Sequence, residues 1–486
     1  MFPYTTSLLL LALSLSAVTL LQYLRNPLYH LPGPWYTHFT SLPLKLATLS
    51  GRRIYFVHSL HQKYGPYVRI SPSEVAVNDV KAFKQIHRIG SGGFEKSTWY
   101  RDLLAIGRPI LFTMVGHKDH GARRRLFAKA FSKSNIRNNW EDSIKEKIEL
   151  AVRGMGAEAA REEKVDMLRW WTFMASDASA HLMFGESFHT LESGEESEYL
   201  QRLQTGLVGM GSGAEFPLMR TIGRWIPLQI SQRLFAVNGY LLDYANTAMV
   251  NMRSKGDGKT IFATIAAEAE KGENLRDIDV HCEATGLMIA GTDTTAITIT
   301  YLIWAILKQP DLRRDLCEEL SGIAEDAKDS DLEHLQLLNA TIEEALRLYG
   351  ALPGGLPRVA PHGGSKIGGY QIPEGTTVTT QTYSLHRDAE LFPDPERFVV
   401  SRWMPGNENS KYHLSDLAKA AFSPWGAGSR TCLGLHIAYT ELRLAALLFL
   451  QAFPEAKIAP STTEKSMEME NFFLIRPAGH KCEVEL

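Results

Sequence analysis

The chain has 486 residues, enough for one large domain or for two or three ordinary ones. Lys plus Arg number 52 against 54 Asp plus Glu, a net charge of -2, which excludes nucleic-acid binding by bulk attraction. Four cysteines, Cys282, Cys317, Cys432 and Cys482, show neither paired nor zinc-like spacing, which argues against a disulfide scaffold and for a reducing compartment.

Thr6 to Leu21 is uncharged and rich in Leu, Ala, Ser and Val, with Arg25 the first cation. A bilayer core of about 30 Å takes roughly 20 helical residues, so this stretch reads as a short membrane span. A cleaved signal peptide is the alternative. Against it, no cation precedes the apolar stretch, whereas Arg25 follows it and holds that end in the cytosol. Residues 1–24 are therefore expected to be a retained N-terminal anchor helix. Residues 25–36, with Leu31-Pro32-Gly33-Pro34-Trp35, read as a stiff proline-rich hinge, and 37–486 as the main body.

Tyr67–Ile70 and Glu74–Val77 read as strands around a Ser71-Pro72-Ser73 turn. Residues 91–116 are rich in Gly and aromatics and show no period. Lys118 to Trp170 is mostly helical in pattern and highly charged. Gly211 to Ile230, with Phe216, Leu218, Met219, Trp225 and Ile226, is apolar: core, or a patch that dips into a bilayer. Asp279–Leu307 is a helix too long to be peripheral, ended by Pro310, and apolar except for Gly291-Thr292-Asp293-Thr294-Thr295. Leu335–Leu348 is a further helix. Strand signals follow at Lys366–Ile372 and Thr376–Thr382, separated by Pro373-Glu374-Gly375, and an apolar helix runs from Leu435 to Phe453. The fold class is mainly α with a small β portion, since no alternating βαβ series appears.

The most specific stretch is Trp425-Gly426-Ala427-Gly428-Ser429-Arg430-Thr431-Cys432-Leu433-Gly434. A lone cysteine is usually an inert buried residue. Here it sits in a glycine-rich loop ahead of a helix, where amides stabilise negative charge on sulfur and glycines let backbone pass close to a flat ligand. Gly428, Arg430, Cys432 and Gly434 resemble the haem-binding loop of the cytochrome P450 haem-thiolate monooxygenases, F-x-x-G-x-R-x-C-x-G. Trp425 departs from it, standing where the family carries Phe. Its wider ring, with an N–H to donate, is expected to affect haem packing or potential rather than iron ligation.

The resemblance implies a P450 fold, with the long central helix over haem b and Cys432 as axial ligand of the iron. Ala290-Gly291-Thr292-Asp293-Thr294-Thr295 resembles the family's oxygen-activation motif. Asp293 and Thr294 would form a short proton relay, Gly291 marking where the helix widens for a ligand. The plainer alternative is a threonine-rich helix whose hydroxyls bond back to the preceding turn. Glu344 and Arg347, a Glu-x-x-Arg pair, with Arg397 of Phe392-Pro393-Asp394-Pro395-Glu396-Arg397-Phe398, would make a buried structural network behind the cysteine loop. His120, Arg124, Arg358 and Arg430 would meet the haem propionates, with Trp425, Gly426, Gly428 and Gly434 around the ring. Arg123 and Arg125 are expected to face solvent or a reductase.

Substrate walls are expected from Phe94, Trp99, Phe112, Leu287, Ala290, Leu352, Leu356, Phe472 and Phe473, though core packing explains each as well. Arg101 and Glu215 are candidates for polar contacts. The motif order looks most like membrane-bound fungal members that oxidise lipophilic secondary metabolites. It implies an NADPH-cytochrome P450 reductase as electron donor, with cytochrome b5 a further donor and O2 the co-substrate. The chain carries no flavin or nicotinamide G-x-G-x-x-G unit of its own. The resemblance places residues 37–486 as a monooxygenase domain on the cytosolic face of the endoplasmic reticulum. A haem-thiolate coupling, desaturation or isomerase catalyst is the alternative, and a non-catalytic haem carrier ranks last.

Overall fold

The computed structural model describes residues 17–18, 20–21, 26–89, 93–104, 106–217, 237–255, 260–269, 276–324, 326–406 and 408–486. Its axis is one uninterrupted helix, Asp277–Leu307. It is apolar all round because neighbours cover it all round: Met167–Phe184, Gln336–Tyr349, Leu435–Ala452 and Val237–Lys255 pack against it. Its threonines other than Thr295 are satisfied within the helix, Thr292 donating to the Met288 carbonyl (2.9 Å) and Thr300 to Ala296 (2.7 Å). Pro310 does end the run, by starting the next helix at its first position.

Gly291 in this helix serves contact rather than widening. A Cβ on Gly291 would lie 2.4 Å from Ser179 Oγ on the Met167–Phe184 helix, so the two backbones approach where a side chain would hold them apart. That partner helix is capped by Asp166, which accepts from the Leu168 amide, and stops at Gly185 with φ 81°.

Five short strands form one mixed sheet in the order Tyr67–Ser71, Glu74–Val77, Thr377–Thr380, Arg358–Val359, Glu95–Lys96. The second pairs parallel with the third, and the others pair antiparallel. Residues 91–116 thus contain a strand and a short helix, Trp99–Leu103, that lack any sequence period. The expected single strand Lys366–Ile372 is instead a hairpin, Ser365–Ile367 with Tyr370–Ile372, because Gly368 and Gly369 (φ 55° and 90°) turn the chain between them.

The proline-rich segment is docked on this sheet. Buried Arg69 donates to the Leu28 and Leu31 carbonyls (3.0 and 2.8 Å) and to Thr37 Oγ1 (3.0 Å). Most of the expected anchor lies outside the described residues, as do 218–236, including Leu218, Met219, Trp225 and Ile226. Among the described residues one helix is long and apolar enough to cross a membrane, Ile278–Leu307, and it is the buried core helix.

Candidate active site

A cavity of about 320 Å³ opens between the central helix and the cysteine loop. Cys432 stands on its wall, its side chain accessible from the cavity. Burial raises its thiol, while the Gly434 amide and then Arg124 pull it back towards the thiolate. Its own N–H donates to the Trp425 carbonyl at 2.8 Å, closing the loop. Gly426 and Gly434 line the cavity with Trp425, but Gly428 does not. Gly428 has φ 66°, and a Cβ there would sit 2.0 Å from the His87 carbonyl oxygen. It shapes the loop from behind and is no wall of a ligand site. The Trp425 indole N–H donates to Tyr439 Oη (3.2 Å), so it turns from the sulfur to the Leu435–Ala452 helix.

His120, Arg124, Arg358 and Arg430 all line one end of this cavity. Arg430 spends its Nη atoms on the Met114 and Val115 carbonyls (2.7 and 2.8 Å), and its Nε has no partner among the described residues. The Nε of buried Arg358 is likewise unpartnered among them. Burial, then Arg358, lowers Arg430 to about 10, and burial, then Arg430, lowers His120 to about 3. Unmatched guanidinium nitrogens beside an accessible thiol fit a flat dianion with a thiophilic centre, so these residues suit haem. Sequence reasoning missed Lys96, a further buried cation on the same wall. Arg123, expected to face solvent or a reductase, is only 14% exposed and pairs with Glu283 at 2.7 Å.

Glu283 lies on the central helix, and both its oxygens accept from the Leu111 amide (2.9 and 3.0 Å), tying residues 106–116 to that helix. Burial pushes its carboxyl up to about 7. Thr294 faces the cavity, its hydroxyl donating to the Ala290 carbonyl at 2.5 Å. Asp293 does not line the cavity: it is buried on another side, one oxygen unpartnered among the described residues, and burial, then Glu196, raises it to about 7. Adjacent in sequence, the two point apart because successive helical residues differ by about 100°. A carboxyl that does reach the wall is Glu441, which accepts from Thr295 Oγ1 at 3.0 Å and is raised by burial to about 8.

Behind the loop, Arg347 makes a bidentate pair with Glu344 at 2.8 Å, both side chains fully buried. The third member is not Arg397. That side chain is 69% exposed and pairs with Asp394, and only its carbonyl meets Arg347. Arg402, fully buried, takes the place, donating to Glu344 at 3.2 Å, with the Trp403 indole at 2.9 Å. The Arg-Trp pair at 402–403 was the available signal; the letters Pro-Glu-Arg-Phe at 395–398 drew the assignment away.

Of the expected walls, Phe112, Leu287, Ala290, Leu352, Leu356 and Phe473 line the cavity. Phe94, Trp99 and Phe472 do not. Phe94 belongs to a separate core with Leu28 and Val75, and Trp99 packs its ring at a tilt of 51° against Phe473 while donating to Glu215 at 3.2 Å. Glu215 in turn pairs with Arg53 at 3.1 Å, so it too is engaged away from a ligand.

The family model described as Cytochrome P450 matches residues 32–484. Cytochrome P450 monooxygenase stcB of Emericella nidulans is 36% identical, covering 95% of this chain and 89% of that protein. Cytochrome P450 monooxygenase tazI of Aspergillus terreus is 36% identical over 99% of this chain and 98% of its own. Methylphloroacetophenone oxidase of Cladonia uncialis is 34% identical over 76% and 85%. With a thiol, unmatched cations and a threonine-bearing helix around one cavity, and with two of these relatives matching over 95% and 99% of the chain, the chain belongs to the cytochrome P450 family and is a P450 monooxygenase.

Proposed function

We propose that the enzyme inserts one oxygen atom from O2 into a C–H bond of a lipophilic, multi-ring secondary metabolite: a polyketide, terpenoid or alkaloid. Its electrons would come from an NADPH-cytochrome P450 reductase, with cytochrome b5 as a further donor. The observation that carries this is the apolar part of the cavity wall. Phe112, Phe473, Leu287, Leu352, Leu356 and Met210 leave few polar groups to a substrate, so shape and ring contacts select it. Family membership implies a haem with cysteine thiolate, O2, a redox partner and a small-molecule substrate.

When bound, the haem supplies oxygen activation, which thiolate donation favours over reversible carriage. Cys432 would hold the iron, and His120, Arg124, Arg358 and Arg430 the propionates. Thr294 holds a hydroxyl proton on the cavity wall, given to Ala290 until a better acceptor arrives. Glu441, protonated at neutral pH and joined to Thr295, is a proton store on the same wall. Asp293 joins the relay only by turning its carboxyl from its buried position. The apolar walls exclude water.

A membrane-anchored form on the cytosolic face of the endoplasmic reticulum fits the exposed Val18, Leu20 and Leu21, helical apolar residues that need cover. Carbonate-resistant pelleting of the full chain, with the body open to protease, tests that placement.

One relative is named an oxidase of methylphloroacetophenone, which favours a second reading: oxidation of an aromatic substrate without net oxygen insertion. Turnover of candidate intermediates under labelled dioxygen, with and without reductase, separates the two. Label in the product supports insertion; reductase-dependent product without label overturns it. Cys432→Ser should remove both activity and the carbon-monoxide difference band in either case.

A further inference from the structure

Trp425 lines two hollows: the cavity that Cys432 also lines, and a recess behind the cysteine loop bounded by Glu343, Trp403, Phe422 and Tyr439. Its indole brings an N–H that phenylalanine lacks, on a loop whose cysteine has to carry negative charge. The two residues are joined through the backbone, the Cys432 N–H donating to the Trp425 carbonyl at 2.8 Å. A donor to a thiolate draws charge from it and changes what it gives to a metal. The direction of the indole N–H therefore bears on the ligand.

That N–H is taken up by a chain of two further groups. Trp425 Nε1 donates to Tyr439 Oη at 3.2 Å, and the Tyr439 hydroxyl donates to Glu343 Oε1 at 2.9 Å. An indole nitrogen only donates, so Tyr439 accepts from it and passes its own proton on to the carboxyl. Tyr439 stands on the Leu435–Ala452 helix and Glu343 on Gln336–Tyr349, which pack together, so two helices fix the far end of the chain. The Trp425 and Tyr439 rings also pack, 5.2 Å apart and tilted by 52°. Burial pushes Glu343 up to about 7, and the bond from Tyr439, then Arg443, pulls it back. Its other oxygen has no partner among the described residues, so Tyr439 satisfies the one oxygen that is bonded. A phenylalanine at 439 would pack on the indole equally well and strand both polar ends.

We propose that Tyr439, backed by Glu343, is a positioning residue for Trp425: it holds the indole N–H away from Cys432, so that the thiolate keeps its full charge for the iron. This rests on the haem assignment and deepens it. It also accounts for a tryptophan where the family loop carries phenylalanine. With its N–H engaged by Tyr439, the indole acts towards the cavity as a ring without a donor.

The test compares full-length holoenzymes of wild type, Tyr439→Phe, Trp425→Phe, the double variant and Glu343→Gln. Two quantities are read: the midpoint potential of the haem and the position of the carbon-monoxide band. In Tyr439→Phe the freed N–H turns to the sulfur, and reduction, which adds negative charge there, becomes easier. The equilibrium constant for reduction should rise roughly tenfold, the scale of one hydrogen bond to a charged group, or about 59 mV for one electron, and the band should move. Trp425→Phe should stay within about twofold of wild type in that constant, and adding Tyr439→Phe to it should change neither reading. Glu343→Gln should match wild type, because its amide oxygen still accepts from the phenol. A Tyr439→Phe protein with wild-type potential and band would overturn the proposal. So would the same shift on the Trp425→Phe background, since Tyr439 would then act without the indole. A full shift in Trp425→Phe alone would show that the wild-type N–H already reaches the sulfur, and one in Glu343→Gln would assign the effect to carboxylate charge; either overturns it. A wild-type protein that takes up no haem would instead fail the underlying assignment.

Discussion

Arg397 and Arg402 share one loop and have opposite surroundings, so they separate sequence match from structural role. Glu344 is fully buried and takes donors from Arg347, Arg402, Trp403 and the Val399 amide. Removing one partner of a buried ion pair costs about 3–5 kcal/mol. Arg402→Leu should therefore yield protein with little or no pigment and a lowered thermal midpoint. Arg397→Leu should stay within about 0.5 kcal/mol of wild type, as exposed sites do. Equal damage by both would return Arg397 to the network. Thr294 gives a second residue-level contrast. It lines the cavity beside Thr295 and Thr298, and its hydroxyl bonds only to its own helix, at Ala290. Thr294→Ala should keep the carbon-monoxide band while product per NADPH falls severalfold and hydrogen peroxide rises, because a positioned hydroxyl is lost from the wall. Unchanged coupling would remove Thr294 from proton delivery.

At the scale of elements, the cysteine loop owes its shape to two glycines with different duties. Gly428 sits at φ 66° with the His87 carbonyl where its Cβ would be, whereas a Cβ on Gly434 would meet no protein atom within 4 Å. Gly428→Ala must move backbone, so thermal midpoint and pigment should both fall. Gly434→Ala should leave the midpoint of the haem-free protein unchanged and lower haem occupancy, because its added methyl projects into the cavity Gly434 lines. A haem-free midpoint lowered alike in both would show that Gly434 too is structural. The long helices were legible because thirty residues of apolar period leave little choice, and Asp279–Leu307 was placed within two residues of Asp277–Leu307. The hairpin at 365–372 was not, although Gly368-Gly369 is a turn signal, because the stronger Pro373-Glu374-Gly375 drew the boundary. The pairing of Lys96 with Arg358 joins distant segments, and local pattern carries no information about it.

The whole molecule shows the same division and one consequence of it. Cys432, Arg430, Arg358, Arg124 and Thr294 were legible because chemistry restricts the residue types, and all reach one cavity. Phe94 and Phe472 were misread because pockets and cores share composition, and only packing tells them apart. What no motif announces is the number of titratable groups buried in the body, and these fix how stability depends on pH. His61, His87 and His386 are lowered by burial to about 4, 3 and 3. Each binds fewer protons folded than unfolded, so its contribution is present above its unfolded value near 6.5 and is lost as pH falls. Asp293 and Glu441 are raised by burial to about 7 and 8, and neither has an ion-pair partner among the described residues. Each binds more protons folded than unfolded, so its contribution is complete below about pH 4 and is lost as pH rises through the folded value. Below about pH 6.5 the histidines and the raised carboxyls oppose one another, and near that pH the histidines finish titrating in the unfolded chain. Above it the raised carboxyls remain, Asp293 and Glu441 together with Glu283 and Glu343 at about 7, and each proton difference is worth about 1.4 kcal/mol per pH unit. Thermal midpoints by circular dichroism should fall between about pH 6.5 and 8.5 in wild type and fall less in Asp293→Asn with Glu441→Gln, whose amides cannot ionise. A wild-type midpoint that held level or rose across that interval would mean both carboxyls are already ionised in the folded protein, and with them would go the proton store assigned to Glu441.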